Sequence, residues 1–306
     1  MRPLKLPAEA VREGPVLRQT TRAPGVLQPH FRLSRNCLRE RPRPAECCFG
    51  AEMASLFDIK WVRASGEAAT AAIRPDELAP PGWHRVREMA WHLPRVLAGL
   101  GPLGPRGPED GPPALVIPGF LASDRTTMDF RRGLARRGWR VYPWGLGVNL
   151  GAKAETPDLL CLRLDEIYDG RPVLLIGWSL GGMFARELAH RHPRKVRAVV
   201  TLCSPFSGDY KTNTNVRELY ERVAGHDVNE PPFPRSDGKP PVPTLAFWSR
   251  RDGIVAPAAA RGSNGEVDRS VEIDTYHVGA VLCRPAMVKI VSEIEYFLAL
   301  DEFSCA

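Results

Sequence analysis

The amino-acid sequence predicts an α/β protein with a mostly parallel sheet of about six strands flanked by helices. From Ala114 onward, short apolar runs alternate with segments in which apolar residues recur at helical spacing. Strands separated by amphipathic helices are typical of parallel sheets with right-handed crossovers. In addition, the run Val173–Ile176 is apolar at every position, as expected for a strand covered on both faces. These observations together favour a layered α/β domain.

The alternation predicts six strands and four helices. The expected strands are Ala114–Ile117, Arg140–Trp144, Val173–Ile176, Val196–Cys203, Pro243–Trp248 and Ser270–Asp274. The expected helices are Asp124–Arg137, Thr156–Tyr168, Leu180–His192 and Arg284–Leu298. The proline-rich segment Ser207–Pro241 interrupts this alternation. It could be a lid over a site at the sheet edge or an ordinary surface loop, and the sequence leaves both open.

Three regions of the chain differ in composition. Residues 1–52 are rich in arginine and proline, lack strand or helix periodicity, and are expected to be disordered or loosely held. They form either a basic arm or sequence upstream of a natural start at Met53, and we favour the second because the composition changes abruptly there. Residues 53–113 contain two segments of helical spacing, followed by a Gly/Pro-rich linker from residue 101. Residues 114–306 form the predicted catalytic domain.

The positive charge of the chain is concentrated near its N-terminus. The formal net charge is +7, but residues 1–52 hold ten Lys/Arg and five Asp/Glu, which leaves 32 and 30 for the rest. The main domain is therefore nearly neutral, and nucleic acid is not an expected partner. No run approaches the ~18 apolar residues of a membrane span, and no secretory h-region is evident. We expect no stable membrane insertion and a cytoplasmic location.

Seven cysteines without a Cys-x-x-Cys pair predict neither a zinc site nor a complete disulfide framework. We expect mostly reduced thiols. Cys203 lies in an apolar context and is interpreted as a packing residue.

The segment Gly177-Trp178-Ser179-Leu180-Gly181 joins the central predicted strand to a predicted helix. A serine at the tip of such a turn sits in strained backbone, and the residues two before and two after it must be small. Gly177 and Gly181 meet this requirement. We therefore interpret Ser179 as a nucleophile.

A nucleophilic serine needs a base, most often a histidine oriented by a carboxylate. Of the seven histidines, only His277 directly follows a predicted strand of the sheet. For the acid we favour Asp252, which follows the preceding strand, over Asp209 in the proline-rich segment. The order Ser179, Asp252, His277 is the one that the serine turn motif predicts.

Backbone amides next to the serine could stabilise an oxyanion. We expect one to come from Leu180 and the other from Phe120, in the turn after the first strand. Side chains near this region are mostly apolar and are candidates for binding substrate or for the core. They are Trp144, Asn149, Trp178, Phe206 and Val278, with Asn149 available for a hydrogen bond.

From about Ala114 the chain resembles the α/β-hydrolase superfamily, nearest to bacterial esterases and lipases. The resemblance rests on the serine turn, Ser204-Pro205 after the next strand, the acid loop at 249–255 and the histidine loop at 277–279. The chain departs from the family by having Pro118-Gly119 where His-Gly is usual, and the family's first two strands are not evident.

The resemblance implies an acyl-enzyme mechanism that needs no metal or organic cofactor. The implied function is hydrolysis of small carboxylic esters with short to medium acyl chains. A thioesterase or acyltransferase using the same triad, and a non-catalytic binding protein on this fold, are the alternatives. The sequence does not indicate an oligomeric state.

Overall fold

A computed structural model of the chain describes residues 77–78 and 104–304. All of these residues belong to the compact unit Ser55–Ala306. The predicted loose segment 1–52, the proposed start at Met53 and the expected helices up to residue 100 lie outside the described residues. Of the expected linker, residues 104–112 are described, and Arg106 exchanges backbone hydrogen bonds of 2.9 and 2.7 Å with Val141.

Six strands form one parallel sheet. They are β1 (Pro113–Ile117), β2 (Arg140–Pro143), β3 (Val173–Trp178), β4 (Val196–Leu202), β5 (Thr244–Trp248) and β6 (Arg269–Glu272). Their order is β2-β1-β3-β4-β5-β6, and every neighbouring pair is parallel. The predicted six-stranded parallel sheet is confirmed, and each predicted strand end lies within two residues of the observed one.

Seven α-helices connect and follow the strands in the described part of the chain. They are α1 (Met128–Ala135), α2 (Thr156–Ile167), α3 (Leu180–Arg191), α4 (Arg217–Ala224), α5 (Pro257–Arg261), α6 (Gly279–Leu282) and α7 (Arg284–Ser304). The sequence pattern did not predict α4, α5 or α6. Helices α5 and α6 have only five and four residues, too few to establish a period, and α4 lies in the proline-rich segment that was expected to be a lid or a loop. None of the described helices is both long and apolar enough to cross a membrane.

Helix α1 begins four residues later than predicted. Asp124, the expected first residue, instead receives hydrogen bonds from the backbone N–H groups of Trp144 (2.9 Å) and Gly145 (3.1 Å). Its carboxylate therefore supports the loop after β2, and the chain from 124 to 127 forms turns. A tertiary contact replaces the local helix start.

The sheet has a hydrophobic core on each face. Leu174 and Ile176 of β3 contribute to one core, which α1 and α7 cover. Val173 and Leu175 contribute to the other, which α2 and α3 cover. Because successive strand residues point to opposite faces, an unbroken apolar strand requires cover on both sides. The structure supplies that cover.

The direction in which successive strands are added to the sheet reverses at β1. Strand β1 pairs with β2 on one side and β3 on the other, so the connections to these strands leave toward opposite edges of the sheet. In open α/β sheets such a switch point creates a crevice at the carboxyl ends of the strands. Ser179 follows the carboxyl end of β3 at this crevice.

Candidate active site

Ser179 occupies a strained turn between β3 and α3. Its φ of 54° and ψ of −124° lie outside the regions that residues with a Cβ ordinarily adopt. The surrounding backbone holds this conformation: the Ser179 N–H donates to the carbonyl oxygen of Leu202 (2.8 Å), and the Gly182 N–H donates to the Ser179 carbonyl oxygen (2.9 Å). The side chain consequently projects from the tip of the turn.

The two glycines that flank Ser179 are required by close backbone packing. A Cβ at Gly177 would lie 2.2 Å from the carbonyl oxygen of Gly181. A Cβ at Gly181 would lie 2.3 Å from the carbonyl oxygen of Ile117 at the end of β1. Both distances are far inside van der Waals contact, so any side chain would force the turn apart.

His277 and Asp252 form a buried hydrogen-bonded pair beyond the ends of β6 and β5. The His277 Nδ1 atom lies 2.8 Å from Asp252 Oδ2, and the two residues are only 4% and 1% exposed. The other carboxylate oxygen, Oδ1, accepts the backbone N–H groups of Ile254 and Val255, each at 2.8 Å. A carboxylate at Nδ1 favours the tautomer with its proton there, which leaves Nε2 as the basic nitrogen.

The reserve acid, Asp209, lies elsewhere. It is exposed in the proline-rich segment, where its carboxylate accepts the backbone N–H of Lys211 at 3.0 Å. This local turn accounts for its polar contacts, and the structure pairs His277 with Asp252 instead.

Contacts from neighbouring residues bring the serine and histidine loops together. The indole N–H of Trp178 donates to the carbonyl oxygen of His277 at 3.2 Å, and the two ring centroids are 5.4 Å apart. On the other side of the turn, a Cβ at Gly119 would lie 3.0 Å from the Cβ of Ser179. The histidine loop and the turn after β1 therefore both approach the serine.

The acid and histidine loops are joined through Ser249 and Thr275. The Ser249 hydroxyl donates to the Thr275 carbonyl oxygen at 2.5 Å and accepts the N–H of Arg251 at 3.1 Å. Sequence reasoning did not single out Ser249, although the sequence shows a serine three residues before the candidate acid.

Cys203 lies beside the histidine–aspartate pair. Its sulfur, a carboxylate oxygen of Asp252 and a ring nitrogen of His277 all lie within 4.8 Å of one another. Among the described residues, no other group of three metal-ligating side chains is this close. Cys203 is fully buried in the core that α7 covers, which agrees with its interpretation as a packing residue.

The expected oxyanion donors lie next to Ser179. Leu180 is the first residue of α3, so its N–H has no carbonyl partner one turn earlier in the helix. No acceptor for the Phe120 amide is present among residues 77–78 and 104–304. Both residues line a cavity that reaches Ser179.

Asn149 supports the turn that follows β1. Its Nδ2 donates to the Pro118 carbonyl oxygen at 2.8 Å, and its backbone N–H and C=O bond to Ala122 and Leu121 at 2.8 and 2.7 Å. Its Oδ1 accepts the Gly151 N–H at 3.2 Å. With both side-chain groups engaged by backbone and 1% exposure, Asn149 supports the turn and does not line the cavity.

The remaining predicted pocket residues divide into two groups. Phe206 lines the cavity. Trp144, Trp178 and Val278 are buried in the two cores and do not. The alternation of apolar residues could not separate these groups, because the pattern is the same for a core residue and a pocket residue.

The cavity beside Ser179 has a volume of about 240 Å³. One wall is the first two turns of α3, including Leu180, Met183 and Phe184. About half of the lining residues belong to the proline-rich segment between Gly208 and Gly238. This segment therefore covers the cavity, as a lid would, and its opening and closing stay a prediction.

Helix α4 attaches this cover to the loop after β2. The Tyr220 hydroxyl accepts the backbone N–H of Ala152 at 3.2 Å, and burial raises the pKa of this phenol above its ordinary value. The Tyr220 ring packs edge-on against Phe120, with centroids 5.2 Å apart. The cover thus contacts the residue that supplies the expected oxyanion donor.

Comparison with known proteins shows a similarity over part of the chain. Residues 157–225, which include the serine turn, match the family model described as alpha/beta hydrolase fold. A stretch of 60 residues, 20% of this chain, is 38% identical to the biotin biosynthesis bifunctional protein BioHC of Teredinibacter turnerae and spans 10% of that protein.

Two solved structures are partly similar to this chain. Naproxen esterase from Bacillus subtilis is 19% identical, with a TM-score of 0.43 over 63% of this chain and 85% of that one. The thioesterase domain from the curacin biosynthetic pathway is 16% identical, with a TM-score of 0.46 over 63% and 93%.

The part of this chain that is similar to the alpha/beta hydrolase fold includes the serine turn and lies within the six-stranded parallel sheet domain.

Proposed function

We propose that this protein is a serine hydrolase that cleaves small carboxylic esters with short to medium acyl groups. The observation that carries the proposal is the strained serine turn, which opens on a cavity and stands next to a buried His277–Asp252 pair. Structural packing alone gives no reason for a hydroxyl that lines a cavity from strained backbone at this place.

The proposed reaction has two steps. Ser179 Oγ attacks the ester carbonyl while His277 Nε2 takes its proton, and the amides of Leu180 and Phe120 donate to the oxyanion. His277 then protonates the leaving alcohol, and an acyl-enzyme remains. Water attacks this acyl-enzyme with His277 again as base, which releases the carboxylic acid and restores the serine. The mechanism uses only side chains and amides of this chain.

The cavity supports the substrate class. Its lining next to Ser179 is mostly apolar, with Leu180, Met183, Phe184 and Phe206. Its volume of about 240 Å³ suits an acyl chain of moderate length better than a folded peptide segment.

The test is hydrolysis of p-nitrophenyl esters from acetate to palmitate by the full chain and by Ser179→Ala. We expect the parent to turn over butyrate or octanoate and the variant to lose at least about 10³-fold in kcat. Labelling by a fluorophosphonate, with the modified peptide identified by mass spectrometry, should mark Ser179. Activity that survives in Ser179→Ala, or label on another residue, would refute the assignment.

The same assay distinguishes between the alternative functions of this site. Matched oxygen and thioester substrates, each with water or an added alcohol as acceptor, distinguish a carboxylesterase from a thioesterase or an acyltransferase. A folded parent that hydrolyses none of these substrates and takes no label would favour a non-catalytic binding protein.

A further inference from the structure

The wall of the cavity contains a buried arginine at a distance from the serine. Arg186 lies seven residues after Ser179, which is two turns or about 10 Å along α3 and on the same face of the helix. The residue is 7% exposed and lines the cavity together with Met183 and Phe184, which lie between it and the serine turn. An apolar stretch thus separates the candidate nucleophile from a fixed cation.

The charge of Arg186 has no carboxylate partner within ion-pair distance among the described residues. Its NH1 and NH2 groups donate to the carbonyl oxygens of Glu266 (3.1 Å) and Gly238 (2.8 Å), and its guanidinium lies 4.3 Å from the centre of the Phe206 ring. Carbonyl dipoles and an aromatic face orient a guanidinium but do not neutralise it, and the Glu266 carboxylate acts on Arg186 electrostatically without forming a salt bridge in the described part of the chain. Burial lowers the pKa of Arg186 to about 10, so the group stays protonated at neutral pH.

A second arginine in the same cavity is held in the same manner. The guanidinium of Arg235 donates to the Val228 carbonyl oxygen and lies 4.2 Å from the centre of the Tyr210 ring. Tyr210 is also close enough to act electrostatically on Arg186. Arg235 likewise has no carboxylate within ion-pair distance in the described part of the chain.

The acidic residues of the cavity already have partners or face solvent. Glu187 pairs with Arg191 at 2.6 Å and accepts the N–H of Ser236 at 2.8 Å. The carboxylate of Glu266 accepts the N–H and hydroxyl of Ser263 at 2.7 and 2.6 Å. Asp237 is exposed at the cavity rim.

The remaining basic residue of the lining, Arg217, is 3.7 Å from Glu221. Arg186 and Arg235 are therefore the two cavity arginines without a salt bridge among the described residues, although the Glu266 carboxylate acts electrostatically on Arg186.

We propose that the cavity binds substrates that carry a carboxylate at the end remote from the scissile ester, and that Arg186, with Arg235, recognises this carboxylate. The inference rests on the proposed ester hydrolysis at Ser179. A planar guanidinium with N–H groups not engaged by protein matches a carboxylate in geometry and charge. The apolar stretch along α3 would hold the methylene chain that links the two ends.

Two substrate pairs, each differing only in a terminal carboxylate, test this recognition. On the acyl side, mono-p-nitrophenyl suberate is compared with p-nitrophenyl octanoate. On the alcohol side, 8-acetoxyoctanoate is compared with octyl acetate by acetate release. We expect the parent to prefer the carboxylate-bearing member of at least one pair by about tenfold in kcat/KM, as charge-assisted hydrogen bonds to a buried arginine should provide.

The variants distinguish recognition from a structural role of the arginine. Arg186→Met should abolish the preference by losing the carboxylate substrate while retaining the neutral one, and Arg186→Lys should keep part of it. The control is Arg163→Met in α2, whose guanidinium also donates to a backbone carbonyl oxygen, that of Pro143 at 2.9 Å, but lies outside the cavity lining. It should leave the preference unchanged. Equal losses on both substrates in Arg186→Met, or a parent that favours the neutral substrates in both pairs, would overturn the proposal.

A binding experiment keeps this proposal separate from the catalytic one. Calorimetry with suberate is performed on Ser179→Ala and on Ser179→Ala/Arg186→Met, where hydrolysis plays no part. Binding that weakens about tenfold on loss of Arg186 supports the site even if no ester is hydrolysed. Equal binding, or none to either protein, refutes the carboxylate site even if ester hydrolysis is established.

Discussion

Replacement of Asp252 by asparagine should remove the base without disturbing the fold. The structure decides how the new amide would sit. Asp252 Oδ1 accepts two backbone N–H groups, those of Ile254 and Val255, each at 2.8 Å. An NH₂ group placed there would face two donors, so the amide oxygen must take this position. The NH₂ group then faces His277 Nδ1 in place of the Oδ2 atom that lies 2.8 Å away.

This orientation reverses the hydrogen bond to the imidazole. Because an amide NH₂ can only donate, His277 must present a lone pair at Nδ1 and carry its proton on Nε2. The nitrogen that should accept the serine proton is then occupied. In serine proteases, the corresponding asparagine substitution lowers kcat about 10⁴-fold. We expect a similar loss here, which corresponds to about 5.5 kcal/mol at 1.36 kcal/mol per decade of rate.

The assay is steady-state hydrolysis of p-nitrophenyl butyrate by the parent, Asp252→Asn and the control Asp209→Asn. Thermal unfolding should be similar in all three proteins. The control should retain nearly full activity because Asp209 is exposed and bonds within its own turn. A loss below tenfold in a folded Asp252→Asn protein, or an equal loss in Asp209→Asn, would show that Asp252 does not hold the base.

Three further predictions concern packing, the cover and pH. Gly181→Ala should prevent correct folding of the serine turn, because its Cβ would lie 2.3 Å from a carbonyl oxygen of β1. The control Gly133→Ala in α1 has open space around it and should raise the free energy of unfolding by up to about 1 kcal/mol. Thermal melts compare the two variants, and a well-folded, active Gly181→Ala protein would contradict the packing argument. Tyr220→Phe should lower the free energy that holds the cover against the loop after β2 by about 1 kcal/mol, because the Ala152 N–H loses its acceptor at 3.2 Å. Limited proteolysis within α4 should then become faster. An unchanged cleavage rate would argue against this anchor. Burial raises the pKa of Asp124 above its ordinary 3.8, so the folded state binds this proton more tightly than the unfolded chain does. The free energy of unfolding of the parent should therefore fall relative to that of Asp124→Asn as pH rises from below 3.8 through the raised folded value. A difference in unfolding free energy that is constant or grows with pH would refute the raised pKa.

The strands were predicted more accurately than the helices, for a physical reason. Apolar runs such as Val173–Ile176 are encoded by adjacent residues, and their ends are marked by turn residues that any reader of the sequence can see. The start of α1 depends instead on Asp124, whose carboxylate is used by a loop about 20 residues away in the chain. Local periodicity holds no information about such a contact.

Some residues of the candidate site could also be predicted from the sequence, and others could not. Ser179, Asp252 and His277 could be proposed from their places after successive strands, since the carboxyl ends of parallel strands meet at one edge. Asn149 was expected to contact substrate, but its position under the oxyanion turn depends on distant backbone groups of Pro118 and Ala122.

The sequence alone was sufficient to predict the parallel sheet, the serine turn and the order of the candidate triad. Each of these depends on short local motifs or on the periodicity of apolar residues. The sequence could not reveal the cavity under the proline-rich segment or the buried positive charge of Arg186 in the lining of that cavity. Both depend on segments far apart in the chain, such as α3 and the loops at Gly238 and Glu266, meeting in three dimensions. Whether a buried charge is compensated depends on which atoms surround it after folding, and only the tertiary structure contains that information.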